Sequence, residues 1–388
     1  MSINKILLLN VLFILCPAAF AVAKVDKDAP PLVLREVVNG YTASFSPVAL
    51  KSGEKRPENF KSLTGLIFFG TWLQAVDATM PALAELQTEY RTMGLRLIAV
   101  SPEKKAAVQA FLTRHPEINF AVGIDKDEDT LKSYFGIDII LPTCLLVDDD
   151  EKVIWIGDIV DLPTVVRSYY RGKFNMEQQK AVAQLAAQMR SALRAGKNTS
   201  AMELAKQINE RDPGNPAALR LVLFILESGG QFQQALDYLE QTCKTVPDNV
   251  DATFSFLQFL QRHPEYENRI MPVAEKAFAA FKKNSRDLNN LAWMLLDSFP
   301  FVPGTLSVAG KAVAVAEKEL TTDSPDVLKA SLLVTKARYQ YKCGLLKEAV
   351  ATQKKAVELL GSSRRSLGAG QLLKYYQQAL AENGNKTP

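Results

Sequence analysis

Few side chains in this sequence could do redox or acid–base chemistry. The 388 residues include four cysteines, Cys16, Cys144, Cys243 and Cys343, and two histidines, His115 and His263. Dithiol–disulfide exchange needs a thiolate and a second, resolving thiol close by, and no two of these cysteines are near one another in sequence. Cys144 lies two residues after Pro142 in an apolar run. It reads either as a lone thiol able to form mixed disulfides or as a packed core cysteine. Cys243 falls late in a helical segment and Cys343 beside Gly344, positions that suit packing or surface roles.

Each histidine is followed by Pro-Glu and neither has metal-ligand spacing to a cysteine or a second histidine, so both read as loop or capping residues. The acidic run Asp148-Asp149-Asp150-Glu151 lacks the glycine and ligand spacing of a calcium loop and reads as a hairpin turn. Gly304 and Gly310-Lys311-Ala312 are spaced one residue too long for a phosphate-binding loop, and Ala312 offers no hydroxyl for magnesium. There is no GxSxG elbow or HExxH helix. No metal or cofactor is expected.

The elements that would position any site fall into two halves. From Pro31 to Tyr170, short β-rich runs alternate with helical stretches, the pattern of an α/β domain. The runs 66–69, 95–100, 143–147 and 153–156 read as strands of one sheet, the last two joined by the acidic turn. Helices are expected over 80–90, 105–114 and 130–135.

Beyond Gln178 no strand is expected, and the composition is rich in helix formers. Gly196, Ala201 and Pro213 recur 34 residues later as Gly230, Ala235 and Pro247, the tetratricopeptide period. Gly344 and Ala349 repeat the same Gly-to-Ala step. Glycines would turn between paired helices, alanines would let them approach, and prolines would follow the second helix. Residues 263–284 and 291–320 read as less regular helix pairs, with the loop 298–304 between helices.

Residues 1–23 read as a secretory leader: Lys5, an apolar stretch from Ile6 to Leu15, then Ala21-Val22-Ala23 as cleavage site. An uncleaved anchor is the alternative, although Asn10 and Pro17 interrupt the stretch. Lipidation at Cys16 would need a small residue before it, where Leu15 stands. The mature chain would be periplasmic or secreted, without a membrane span. It would keep three cysteines, an odd number, in a compartment where disulfides form. Losing Lys5 takes the net charge from +4 to +3, too weak a field to suggest a nucleic-acid partner.

Phe68-Phe69-Gly70-Thr71-Trp72 followed by Met80-Pro81-Ala82-Leu83 resembles the strand, tryptophan and helix that frame the active site of TlpA-like periplasmic thioredoxins. Leu141-Pro142-Thr143 fits the cis-proline that precedes a strand in that family. Val100-Ser101, Gly123-Ile124-Asp125 and Tyr134-Phe135-Gly136-Ile137 fit the segments between. The resemblance covers residues 29–175 and implies a thioredoxin-like α/β domain. A tetratricopeptide-like all-α helical repeat follows over 177–361, and a helical tail over 362–388.

The resemblance also implies a CxxC pair directly after the tryptophan, where this chain has Leu73-Gln74-Ala75-Val76, and often a glutamate where it has Thr79. No dithiol exchange is expected there. Trp72, Leu73, Val76, Leu141 and Pro142 would line the groove, which the apolar Leu73 and Val76 could fill. The expected function is non-catalytic binding of a protein or peptide partner in the cell envelope through groove and repeats. The alternatives are an oxidoreductase working through Cys144 alone and a structural component of the envelope.

Overall fold

In the computed structural model, which describes residues 23–40, 45, 60–136, 141–322, 324–361 and 364–384, the first half of the chain builds a mixed six-stranded sheet. The leader residues 1–22, Cys16 with them, and Ile137 lie outside the described residues. The strands are β1 (Leu34–Asn39), β2 (Leu63–Phe68), β3 (Leu95–Ser101), β4 (Ala121–Asp125), β5 (Thr143–Val147) and β6 (Val153–Gly157), in the order β1-β4-β3-β2-β5-β6. β2, β3 and β4 run parallel; β1, β5 and β6 are antiparallel to their neighbours.

Side chains alternate across the sheet as strand geometry requires. Leu63, Ile67, Leu95, Leu97, Cys144 and Leu146 enter one core. Leu66, Phe68, Ile98, Val100, Leu145 and Val147 enter the other. The first core is covered by α1 (Gln74–Tyr90), α2 (Lys105–Arg114) and α4 (Leu162–Tyr170), the second by α3 (Asp129–Phe135). Burial on both faces explains why the central strands carry continuous apolar stretches, 66–68 in β2, 97–100 in β3 and 144–147 in β5.

Two expectations shift. α1 starts at Gln74, ahead of the expected residue 80, and carries Pro81 in its interior. The helical spacing of the buried Val76, Met80 and Leu83 extends it N-terminally. β1 and β4 went unrecognised as strands: β1 is a half-exposed edge and β4 has only five residues, Gly123 at its centre.

The second half is all helical. α5 (Met176–Arg194) pairs with α6 (Asn198–Arg211), α7 (Pro216–Ser228) with α8 (Phe232–Thr245), and α9 (Val250–Arg262) with α10 (Ile270–Phe281). α11 (Ser285–Ser298) pairs with α12 (Thr305–Lys318), α13 (Asp326–Lys342) with α14 (Leu346–Leu360), and α15 (Arg364–Gly384) packs on α14. Gly196, Gly230 and Gly344 turn between partners at φ of +67°, +69° and +78°, a region glycine enters without strain. Ala201, Ala235 and Ala349 are wholly buried where the helices meet.

Residues 263–284 are not a helix pair. His263 caps α9, a 3-10 segment (Pro264–Arg269) follows, and α10 alone remains to pair with α9. Pro264 cannot supply the N–H that a continuing α9 would need.

Candidate functional site

The C-terminal end of β2, the N-terminal end of β5 and the C-terminal end of β6 meet at one end of the sheet, because Phe68 pairs with Thr143 and Cys144 with Gly157. That register brings the loop 69–73 beside Leu141 and Pro142. The Leu141–Pro142 bond is cis.

The tryptophan loop is held by Glu103, just past β3. Its carboxylate accepts the Thr71 backbone N–H at 2.6 Å and the Thr71 hydroxyl at 2.9 Å, while its own N–H donates to Ser101 Oγ at 3.2 Å. The Trp72 indole folds back over Gly70, so close that a Cβ on residue 70 would lie 2.5 Å from the ring. Its outer face stays open, and Trp72 is 63% exposed.

Leu73 is the N-cap residue of α1, with extended backbone and no side-chain cap. It is half-buried against the core. Val76, expected in the groove, is instead 0% exposed, because it sits one turn further along α1 on the helix face that packs on the sheet. Trp72, Leu73, Leu141 and Pro142 thus lie at one end of the sheet, with Leu73 packed against the core that holds Val76 and Leu141 against the core on the other face.

Cys144 follows one residue behind Thr143 and points into the same core as Val76. It is 0% exposed. Burial first, then the nearby carboxylates Asp158 and Asp161, push its thiol well above the ordinary range. Of the other described cysteines, Cys243 is half-buried with its thiol pushed up to about 11, chiefly by burial, and Cys343 is exposed. No disulfide joins the three.

Residues 43–156 match the AhpC/TSA family model. The thiol-disulfide oxidoreductase ResA of Bacillus thuringiensis subsp. konkukian is 39% identical over 90 residues, 23% of this chain and 50% of the relative. The ResA of Geobacillus kaustophilus is 32% identical over 121 residues, 30% of this chain and 67% of the relative. The chain belongs to the AhpC/TSA family. Its match spans about half the length of the first of these relatives. The crystal structure of StoA from Bacillus subtilis aligns with 28% of this chain and 84% of its own at 17% identity, with a TM-score of 0.24.

Within this AhpC/TSA domain the structure adds an acid–base cluster around a buried histidine, with the Asp77 carboxylate half exposed. His115, the C-cap of α2, lies beside Phe111 with its Nε2 2.7 Å from Asp77 of α1 and its Nδ1 2.9 Å from Glu117. The His115 contact holds the Asp77 carboxyl below the usual carboxylate range. This cluster pins the first turn of α1, and with it Leu73, to α2. From the sequence His115 reads only as a loop or capping residue, because Asp77 and His115 stand 38 residues apart and meet through tertiary packing.

The array carries a separate hollow of about 370 Å³ between α9 and α11, lined by Phe254, Gln258, Asn290, Trp293 and Asp297. It mixes aromatic surface with carboxamides. Among the described residues no group of three metal-ligating side chains forms, and no helix is long and apolar enough to cross a membrane.

Proposed function

We propose that this chain is an exported, non-catalytic binding protein. Its thioredoxin-like sheet end, with Trp72, Leu73, Leu141 and Pro142, takes a segment of a protein or peptide partner, and a tetratricopeptide-type array offers a second surface. The observation that carries this reading is the combination at the sheet end: Leu73 and buried Val76 stand where a dithiol would act, and the domain's one described thiol, Cys144, is sealed in the core. A thiol held neutral and out of reach cannot attack a disulfide. The exposed face of Trp72 supports binding, since an aromatic anchor beside half-buried apolar residues is what interfaces favour.

Export is supported by the leader-like N-terminus, and the array reading by the glycine turns at 34-residue spacing. The matched ResA proteins are named thiol-disulfide oxidoreductases. On this reading the chain keeps their frame without their exchange chemistry.

The test is insulin reduction with dithiothreitol, comparing the mature protein with its Cys144→Ser variant. Both should match dithiothreitol alone. Activity in wild type that disappears in Cys144→Ser would replace this reading with a single-thiol oxidoreductase.

A further inference from the structure

The helix α4 lies across the N-terminal ends of three successive first helices of the array, and each grips it once. Asp161, the N-cap of α4, receives both guanidinium nitrogens of Arg220 on α7, one of them at 2.9 Å. Thr164 donates its hydroxyl to Asp251 of α9 at 3.2 Å. Arg171, the C-cap of α4, makes a two-pronged contact with Asp287 of α11 at 3.1 and 3.4 Å. Glu89, near the end of α1, adds an ion pair with Arg286 of α11 at 2.7 Å.

The spacing fits. Ten residues of helix advance about 15 Å, and three helices packed 8–10 Å apart span roughly 16–20 Å. The carboxylates of Asp161 and Asp287 are almost fully buried while Arg220 and Arg171 keep one side toward solvent, so these two-pronged contacts are partly desolvated and directional, unlike fully exposed surface pairs.

Asp161 closes a short loop. Gly157 pairs with Cys144, and residues 158–161 turn directly after it. Asp158 accepts the Val160 N–H at 3.1 Å, and the Asp161 N–H donates to the Asp158 carbonyl at 3.1 Å. Ile159 is 0% exposed and enters the same core as Cys144, while Val160 faces outward, so the loop is anchored inward by Ile159 next to the strand pair Cys144–Gly157.

We propose that the array acts in cis as a clamp: by gripping α4, and Asp161 above all, it holds the loop 158–161 shut over Cys144 and fixes the sheet end that carries Trp72 and Pro142. The occupant of the array's N-terminal rim is the chain's own α4, and domain docking governs how often the core thiol opens to solvent. This goes beyond the binding reading and stands whether or not a partner occupies the sheet end.

The experiment uses the full chain with Cys16, Cys243 and Cys343 changed to alanine, so that Cys144 alone reports. Maleimide labelling is followed under native conditions as a function of urea, alongside hydrogen exchange. Arg220→Ala should raise the labelling rate of Cys144 at least tenfold and speed exchange of amides 158–165, with little urea dependence at low urea, and leave α13 and α14 protected. Arg262→Ala removes a pair with Glu227 inside the array, at 2.7 Å and away from α4, and should change nothing at Cys144.

Should Arg220→Ala fail to fold, Arg171→Ala loosens the other end of the same helix and should act in the same direction. The proposal is overturned if the folded variants label at the wild-type rate, or if Arg262→Ala accelerates labelling equally. It is also overturned if labelling follows urea as steeply as global unfolding, because Cys144 is then reached only when the whole chain opens.

Discussion

Restoring two thiols, by Leu73→Cys with Val76→Cys, should turn this sheet end into a working dithiol site. Leu73 is the N-cap of α1, where helix N–H groups and the helix dipole favour a negative charge. That effect is worth about 0.3–1 kcal/mol when exposed and up to ~2 kcal/mol when partly buried. At about 1.36 kcal/mol per pKa unit, a thiol at 73 drops from about 8.5 to roughly 7–8. Its thiolate fraction at pH 7 then rises from about 3% to roughly 10–50%.

A thiol at 76 inherits a fully buried site, stays protonated and acts as the resolving partner one helical turn away. The packing loss is small: roughly 0.5–1.5 kcal/mol at Val76 and about 1 kcal/mol at half-buried Leu73, against typical stabilities of 5–15 kcal/mol. Insulin reduction with dithiothreitol should run at least tenfold faster than with wild type, and Leu73→Cys alone should not turn over. If the double variant folds and forms the 73–76 disulfide by mass spectrometry yet gives no acceleration, the sheet end is not a thioredoxin-type site and the reasoning fails.

Other consequences follow from single groups. Cys144 keeps its proton in the folded state while an unfolded thiol ionises from about pH 9 upward, so the unfolded chain binds fewer protons and stability falls as pH rises. Urea denaturation at pH 7 and pH 10 should show Cys144→Ala losing less, by up to about 1.4 kcal/mol per pH unit above that point. Asp77 is the opposite case: its lowered carboxyl contributes stability above the ordinary carboxylate value, and that contribution disappears as pH falls through the lowered one. Asp77→Asn should therefore be less stable at pH 7 and show a shallower loss below about pH 4 in acid titrations. Gly94 sits at φ +115° where a Cβ would collide with the Lys61 carbonyl, so Gly94→Ala should lose roughly 2–4 kcal/mol in denaturant melts.

The strands near the sheet centre were legible because burial on both faces leaves a continuous apolar run, as in residues 97–100 of β3 and 144–147 of β5. β1 was not, since LREVVN at a half-exposed edge carries neither alternation nor continuity. The start of α1 was hidden because Leu73 supplies no capping side chain, and Pro81 resembled a helix start more than an interior residue. Val76 could have been placed correctly: it stands four residues before Met80 and seven before Leu83, so it shares their buried face. The pairs Asp161–Arg220 and Arg171–Asp287 span 59 and 116 residues, and no periodicity links partners so distant.

What keeps the sheet end in shape involves no sulfur chemistry. Trp72 is placed by Gly70, whose missing Cβ admits the indole, and by the Glu103 carboxylate that takes both polar hydrogens of Thr71. Pro142 is placed by the pairing of Thr143 with Phe68, and Leu73 by the α1 face anchored through Val76, Met80 and the Asp77–His115 contact. Only Val76 of the residues at 73 and 76 belongs to that support, and Met80 and the Asp77–His115 contact hold α1 beside it. The loop that carries Trp72 is therefore fixed by polar contacts and strand register alone, which is what the proposed binding role requires of this sheet end.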